Sequence, residues 1–188
     1  IRRIGLYDIA ALAAGGAIQA ATVGLAEACF AAVRPPGHHA SAGSCWGFCF
    51  FNNMAVAIEA LKQQDRIRSA YILDFDLHFG DGTENILGRK SYVSIHNPGS
   101  NDREAYLQEV ERELERFPAD LIGISAGFDN HRQDWGGLLR SDDYFAMGRM
   151  VRDAARRNNG GCFAVLEGGY NEDVLGQNAL ALINGLSP

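Results

Sequence analysis

Short apolar runs alternate along the chain with longer segments of helical periodicity. Four runs bounded by turn residues predict buried strands, namely SAYILDF, SYVSI, DLIGISA and CFAVL. Helical patterns extend over about residues 8–28 and 53–64, and three more begin near Asp102, Ser141 and Asn171. This alternation predicts an α/β fold in three layers, with helices on both faces of a mainly parallel sheet.

Apolar spacing also predicts which helix faces are buried. Asp102 can cap the third helix, because its carboxylate can accept a hydrogen bond from a free amide of the first turn. The core side of that helix carries Tyr106, Val110, Leu114 and Phe117. The core side of the fourth helix carries Tyr144, Met147, Val151 and Ala154.

The longest apolar stretch, residues 11–33, is rich in alanine and glycine. Alanine contributes little transfer free energy, and Gln19, Thr22 and Glu27 interrupt the stretch, so a packed helix is expected rather than a membrane span. The first residues, IRRIGLYD, lack the features of a signal peptide, and a cytoplasmic protein without membrane contact is the expectation.

Composition narrows the class of partner. The chain has 188 residues, 47% hydrophobic and 21% charged, as in an ordinary globular protein of one domain. Its formal net charge of -6 argues against direct binding of nucleic acid and mildly favours a cationic substrate. The four cysteines show no zinc-finger spacing and are expected to be small buried thiols. The sequence leaves open whether the protein forms a homo-oligomer.

Polar residues follow each predicted strand. DFDLH follows the first run, HNPG the second, GFDNH the third and EGGYN the fourth. Open parallel sheets bind ligands outside the carboxyl ends of their strands. A site is therefore predicted at that edge.

The stretch DFDLHFGDG, residues 74–82, is the most concentrated of these. Alternate residues of an extended backbone point the same way, so Asp74, Asp76 and His78 can converge. Carboxylates and an imidazole are ligands for a zinc-like divalent ion, whose charge would offset the repulsion among the acids; a capped turn with solvated acids is the alternative. A catalytic zinc usually takes three protein ligands. Asp129 is the natural third, and His131 competes with it.

Two further motifs carry residues suited to acid–base chemistry. In RPPGHHA, the prolines stiffen the approach to His38 and His39, whose imidazoles titrate near neutrality and suit a general base and acid. Asp74 and Asp81 are available to fix their tautomers. In EGGYN, the Tyr170 phenol could donate a hydrogen bond to a developing oxyanion, although a tyrosine in a turn is common without such a role.

Taken together and in order, the motifs RPPGHHA, GFCFFNN, DFDLHFGDG, SAGFD and LEGGYN resemble the zinc-dependent histone deacetylase superfamily. That superfamily includes acetylpolyamine amidohydrolases and acetoin-utilisation proteins and has the arginase/deacetylase fold. The resemblance extends from about residue 10 to the C-terminus. It implies removal of an acetyl or similar acyl group from acetyl-lysine or an acetylated amine or polyamine by metal-activated water.

The resemblance also implies a role for particular residues. It implies a zinc ion held by Asp76, His78 and Asp129, and a substrate channel lined by Gly47 and Phe48. The implied catalytic residues are His38, His39, Tyr170, Asp74 and Asp81, with Asp74 behind His38 and Asp81 behind His39. A structural potassium ion is implied at Asp74, Asp76, His78, Ser94 and Ile95.

The sequence departs from the superfamily pattern in three places. Phe79 stands where the motif usually has a second histidine, which removes no ligand. The long stretch that normally follows SIHNPG and forms the opposite channel wall is missing, and so is the family's N-terminal segment. The expectation is a single catalytic domain over residues 1–188 without that segment and some rim loops. Either this member of the superfamily is reduced, or the full protein has these parts beyond the given residues; the second is favoured because the core motifs are intact.

Two other functions stay open at this point. The ureohydrolase branch of the same fold uses two manganese ions, but its strand-end motif is typically D-x-H-x-D, whereas this chain has D-x-D-x-H. The other is a binding module that keeps the pocket without turnover.

Overall fold

The computed structural model describes residues 5–188. The strands are β1 (Cys29–Ala31), β2 (Ala70–Asp74), β3 (Val93–His96), β4 (Leu121–Ala126) and β5 (Gly161–Leu166). The helices are α1 (Leu6–Gly24), α2 (Asn53–Gln63), α3 (Asp81–Leu87), α4 (Arg103–Arg116), α5 (Ser141–Arg157) and α6 (Glu172–Leu186). The strands form one sheet in the order β1-β5-β4-β2-β3, and every pairing is parallel.

Both faces of the sheet are covered by helices, which confirms the predicted three-layer α/β/α architecture. On one face Tyr71, Leu73 and Ile122 pack with the buried sides of α4, α5 and α6. On the other face Ile72 and Phe163 pack with α1 and α2. Alternate strand residues enter opposite cores, so β2 and β4 are buried along their whole length.

The buried faces of α4 and α5 are those that the sequence predicted, with one exception. Asp102 caps α4 through a 2.9 Å hydrogen bond from the Ala105 amide to its side chain. The predicted core positions of both helices are buried apart from Phe117. Phe117 lies just after the last residue of α4 and is only half-buried, because the helix ends at Arg116.

Two elements differ from the sequence prediction. The first helix ends at Gly24, not near residue 28, and the residues after it turn into the edge strand β1. At Gly24 a Cβ would lie 2.7 Å from the Cys162 carbonyl oxygen, so the helix end packs directly on β5. The helix α3 begins at Asp81, inside the motif DFDLHFGDG, where the sequence pattern predicted no helix.

α1 is long and apolar enough to cross a membrane by length and composition alone. In the fold its alanine-rich side is buried, and it packs beside β5 and α2 as the packed-helix prediction expects. The expectation for the cysteines is only partly right. Cys49 and Cys162 are buried, but Cys29 is half-buried and Cys45 is exposed; all four are free thiols.

Candidate active site

The predicted site lies where the loops after β1, β2, β4 and β5 meet. The sheet order puts β5, β4 and β2 side by side, so the residues that follow them are neighbours although they are far apart in sequence. The loop after β1 crosses to the same edge and carries His38 and His39. Asn52 supports this loop, since its side-chain amide donates to the Ala40 carbonyl and to the Thr83 hydroxyl, both at 3.1 Å.

Asp76, His78 and Asp129 present ligand atoms that all lie within 4.8 Å of one another. His78 Nδ1 lies 3.2 Å from Asp76 Oδ1 and 3.0 Å from Asp129 Oδ2. Ligand atoms around a tetrahedral ion with bonds of about 2.0–2.2 Å are separated by about 3.3–3.6 Å. The two observed distances are a few tenths of an ångström shorter than this, so a slight opening of the group would let it hold a small divalent metal ion.

The hydrogen bonding of Asp129 also fits a cation. Its Oδ1 accepts the Leu77 amide at 3.0 Å, but its buried Oδ2 has no aligned hydrogen-bond donor. Burial, followed by the charge of Asp76, raises the pKa of Asp129 to about 6. His78 Nδ1 lies 3.0 Å from this oxygen but makes no aligned hydrogen bond to it, and a bound cation would satisfy the oxygen. Among residues 5–188 no second group of three such side chains converges in this way.

His131, the competing candidate for the third ligand, lies outside this group. Its ring is buried, its Nδ1 accepts the Gln133 amide at 3.3 Å, and it packs beside Tyr144. The structure therefore places Asp129, and not His131, in the group with Asp76 and His78.

His38 is buried against acids. Its Nδ1 lies 3.1 Å from Asp74 Oδ2, and its Nε2 lies 3.7 Å from Asp76 Oδ1. Burial disfavours the charged imidazole, but the charge of Asp74 and its hydrogen bond outweigh burial and, with Glu167 and Asp76, raise the pKa of His38 to about 10. These contacts therefore favour the protonated imidazole of His38 at neutral pH.

His39 has a different environment. Its Nδ1 lies 2.6 Å from Asp81 Oδ1, and its ring stacks on Trp46 with centroids 3.8 Å apart. Trp46 Nε1 also donates to Asp81, at 2.9 Å. Burial and then the positive charge of His38 lower the pKa of His39, although Asp81 acts in the opposite direction. His39 is therefore neutral at pH 7, with its proton on the nitrogen that faces the carboxylate.

Tyr170 lies in the loop after β5 beside two aromatic rings. The Trp135 ring stacks on the Tyr170 ring, and the centroid of the Phe48 ring lies 6.5 Å from the centroid of the Tyr170 ring. Its backbone amide and that of Asn171 both donate to Asp134 Oδ2 at 2.8 Å. Burial, followed by the charge of Asp129, raises the pKa of Tyr170 to about 12, so the phenol keeps its proton at neutral pH.

The predicted channel residues Gly47 and Phe48 lie at the rim. Gly47 has a positive φ of 58°, and a Cβ there would lie 2.4 Å from His39 Cδ2, so only glycine fits against the imidazole. Phe48 also has a positive φ, 63°, and its ring is largely exposed. A bulky residue held in this conformation is unusual and is typical of functional sites.

The residues predicted to hold potassium come from two adjacent strands. Asp74 ends β2, and Asp76 and His78 follow it. Ser94 and Ile95 lie in β3, in register with Tyr71 and Ile72 of β2. The potassium site stays a prediction.

Sequence reasoning assigned no role to two acids that hold the site together. Glu167 is completely buried and accepts the backbone amides of Gly37 and His38. Burial raises the pKa of Glu167 to about 7, against the effect of the His38 charge. Asp134 holds the Tyr170 amide as described above. Glu167 directly follows a buried apolar run, as Asp74 does, and that was the available signal.

The sequence matches the family described as the histone deacetylase domain over residues 3–106 and 98–186. It is 38% identical to the histone deacetylase-like amidohydrolase of Pseudomonas aeruginosa, over 97% of this chain and 59% of that protein. It is 34% identical to a probable deacetylase of Methanothermobacter thermautotrophicus, over 96% of this chain and 65% of that protein. The first of these alignments covers 224 positions, so the relative carries residues without a counterpart in this chain.

Solved structures resemble the fold as a whole. The acetylpolyamine aminohydrolase of Burkholderia pseudomallei superimposes with a TM-score of 0.75 at 26% identity, over 95% of this chain and 60% of that one. The HDA15 HD domain gives a TM-score of 0.76 at 29% identity, over 95% of this chain and 61% of that one. The chain thus spans about three fifths of the length of these proteins.

Proposed function

Because this chain belongs to the histone deacetylase family, we propose that it is a zinc-dependent amidohydrolase that removes an acetyl or similar acyl group from an amine. One observation carries the proposal. A group of two buried aspartates and one half-buried histidine, with the side-chain types of a divalent-ion site, lies beside the paired imidazoles of His38 and His39. Amide hydrolysis needs a Lewis acid, a general base and a general acid near the carbonyl carbon. A metal ion held by the aspartates and His78 would supply the Lewis acid, and the histidine pair suits the base and the acid.

Asp76, His78 and Asp129 are the residues that would hold the zinc ion. When bound, zinc supplies a Lewis acid and lowers the pKa of water, so that a nucleophile is available at neutral pH. Its charge would also offset the repulsion between the two buried carboxylates, which is one reason why the pKa of Asp129 is raised.

We assign the general base to His39. Its Nδ1–H donates to Asp81, which leaves Nε2 free to take a proton from the attacking water and later to deliver it to the leaving amine. His38 stays cationic through its contact with Asp74 and favours the negative charge that develops during attack. The Tyr170 hydroxyl, protonated at neutral pH, donates a hydrogen bond to the developing oxyanion.

The proposed substrate is an acetylated amine, either acetyl-lysine in a peptide or an acetylated polyamine. Relatives carry both kinds of name, histone deacetylase-like amidohydrolase and acetylpolyamine amidohydrolase, and both were found in Pseudomonas aeruginosa. The exposed ring of Phe48 offers an apolar wall for an alkyl chain, and the net charge of -6 suits a cationic amine.

We further propose a structural potassium ion bound by Asp74, Asp76, His78, Ser94 and Ile95. The support is chemical: Asp74 is fully buried and its burial raises its pKa, so a second cation nearby would favour its ionised form.

The test is hydrolysis of a substrate panel by the zinc-loaded protein. Acetate release is measured from an acetyl-lysine peptide and from an acetylated polyamine, with the His78→Ala variant as the matched control. We expect release from at least one substrate by the wild-type protein and none by the variant. A zinc-loaded protein that binds these substrates without releasing acetate would instead be a binding module.

A further inference from the structure

Glu167 lies at the end of β5, three residues before Tyr170, and its carboxylate is enclosed by the protein. Its Oε2 accepts the backbone N–H groups of Gly37 at 2.7 Å and of His38 at 3.1 Å. Its Oε1 accepts the Ser125 hydroxyl at 3.4 Å. One carboxylate oxygen thus fixes two consecutive amides of the segment that carries the histidine pair.

A second contact links the same two segments. Arg34 Nη1 donates to the Glu167 carbonyl oxygen at 2.8 Å, so Glu167 is bound to residues 34–38 through both its side chain and its backbone. Gly37 is also packed so tightly that a Cβ would lie 2.5 Å from the Asn53 amide nitrogen. The main chain at Gly37 is therefore held by contacts with Asn53 and the Glu167 carboxylate.

The position of the His38 ring depends on this main chain. The ring keeps Nδ1 at 3.1 Å from Asp74 and Nε2 at 3.7 Å from Asp76. The ring of His39 follows directly, with its centroid 4.0 Å from that of His38. A backbone displacement of about 1 Å would change all of these distances, and misplacement of that size can reduce a reaction rate by about 100-fold.

We propose that Glu167 is a positioning residue, whose carboxylate holds the main chain of Gly37 and His38 and so sets the histidine pair against the metal-binding group. The recorded hydrogen bonds of its side chain go to the Gly37 and His38 amides and to Ser125, not to Asp76 or Asp129, so it acts through the backbone of the histidine segment. Its kinetic consequence rests on the proposed amide hydrolysis. The backbone contact itself does not, and it can be measured in the absence of activity.

Two conservative variants of Glu167 distinguish the effect of side-chain length from the effect of side-chain charge. Glu167→Gln keeps the side-chain length and removes the charge; its amide oxygen can accept both N–H groups, while its amino group can donate to the Ser125 hydroxyl. Glu167→Asp keeps the charge and is one methylene shorter, so its oxygens cannot reach both amides without backbone movement. Ser125→Ala is the matched control, because it removes only the third hydrogen bond.

If the side chain must be long enough to bind both amides, Glu167→Asp lowers kcat by about 10-fold to 100-fold and changes KM by less than about 3-fold. Glu167→Gln and Ser125→Ala keep kcat within about 3-fold of wild type. Amide hydrogen exchange gives the second measurement. A peptide covering residues 34–40 should exchange faster in Glu167→Asp than in wild type, and at the wild-type rate in Glu167→Gln. Zinc content should be equal in all four proteins.

The proposal is overturned if Glu167→Asp matches wild type in kcat and in exchange, or if Glu167→Gln is the more impaired of the two. A loss of kcat in Glu167→Asp that is accompanied by loss of zinc also overturns it, because Glu167 would then act on the metal group. A wild-type protein that releases no acetate contradicts the proposed function, and the exchange rates alone then decide whether Glu167 holds the segment.

Discussion

Trp135 stacks on Tyr170, with ring centroids 3.9 Å apart and ring planes inclined by 14°. Trp135 is otherwise largely exposed, and its ring also meets the His78 imidazole edge-on, with ring centroids 6.1 Å apart. The backbone of Tyr170 is fixed separately by Asp134. Ring and main chain of the tyrosine are therefore each restrained by a residue of the loop after β4, the loop that also supplies Asp129 to the metal-binding group.

Tyr170→Phe should lower kcat by about 100-fold to 1,000-fold while leaving zinc content unchanged, because one donor to the oxyanion is lost and no ligand is touched. Steady-state kinetics and metal analysis of the same preparation check this. Equal activity in the variant would remove the tyrosine from the mechanism.

Asp134→Ala should lower kcat by about 10-fold, because the Tyr170 and Asn171 amides lose their common acceptor and the phenol is no longer held in place. Glu172→Ala is the matched control, since it removes a neighbouring exposed acid that does not bind these amides. The expectation fails if both variants have the same kcat.

The acid limb of kcat/KM should lie below pH 6.5, because burial and the His38 charge lower the pKa of His39 and its neutral form is the base. Activity falls as the pH drops through that pKa. Asp81→Asn removes a carboxylate that raises the pKa of His39, so the limb should move to lower pH while the plateau decreases. Zinc content measured at each pH separates this limb from loss of the ion. An upward shift in Asp81→Asn would contradict the assignment.

Gly82→Ala should destabilise the fold by about 1–3 kcal/mol, because the added Cβ would lie 2.5 Å from the Ala40 carbonyl oxygen and meets backbone that cannot rotate away. Gly15→Ala is the control. It lies in α1 with nothing within 4 Å of the new Cβ, so it should raise stability by about 0.5–1 kcal/mol. Urea titration gives the free energy of unfolding of each variant. Equal values for Gly82→Ala and Gly15→Ala would show that the backbone around Gly82 can move to accommodate a methyl group.

The sequence predicted four of the five strands because each is a short apolar run between turn residues. β1 was missed, since its three residues sit in an alanine-rich stretch without any alternation. α3 was missed because it begins at Asp81, where the acids and glycines of the motif hide the helical period. The convergence of Asp76, His78 and Asp129 followed from motif order, and the structure brings these three side chains together.

The role of Glu167 could not be predicted in the same way. Its partners Gly37 and His38 lie 130 and 129 positions earlier in the chain, and only the adjacency of β1 and β5 brings them within hydrogen-bonding distance. For the third ligand the sequence favoured Asp129 and left His131 open, because both follow β4 within five residues; the fold places Asp129 beside Asp76 and His78.

Titration of zinc into the metal-free protein, with acetate release from an acetylated amine measured at each step, tests the central claim most directly. The account predicts that activity rises linearly to one zinc per chain and then stays constant, and that Asp129→Asn neither binds the ion tightly nor releases acetate. Activity that requires two metal ions per chain, or no release of acetate at one bound zinc, would contradict it.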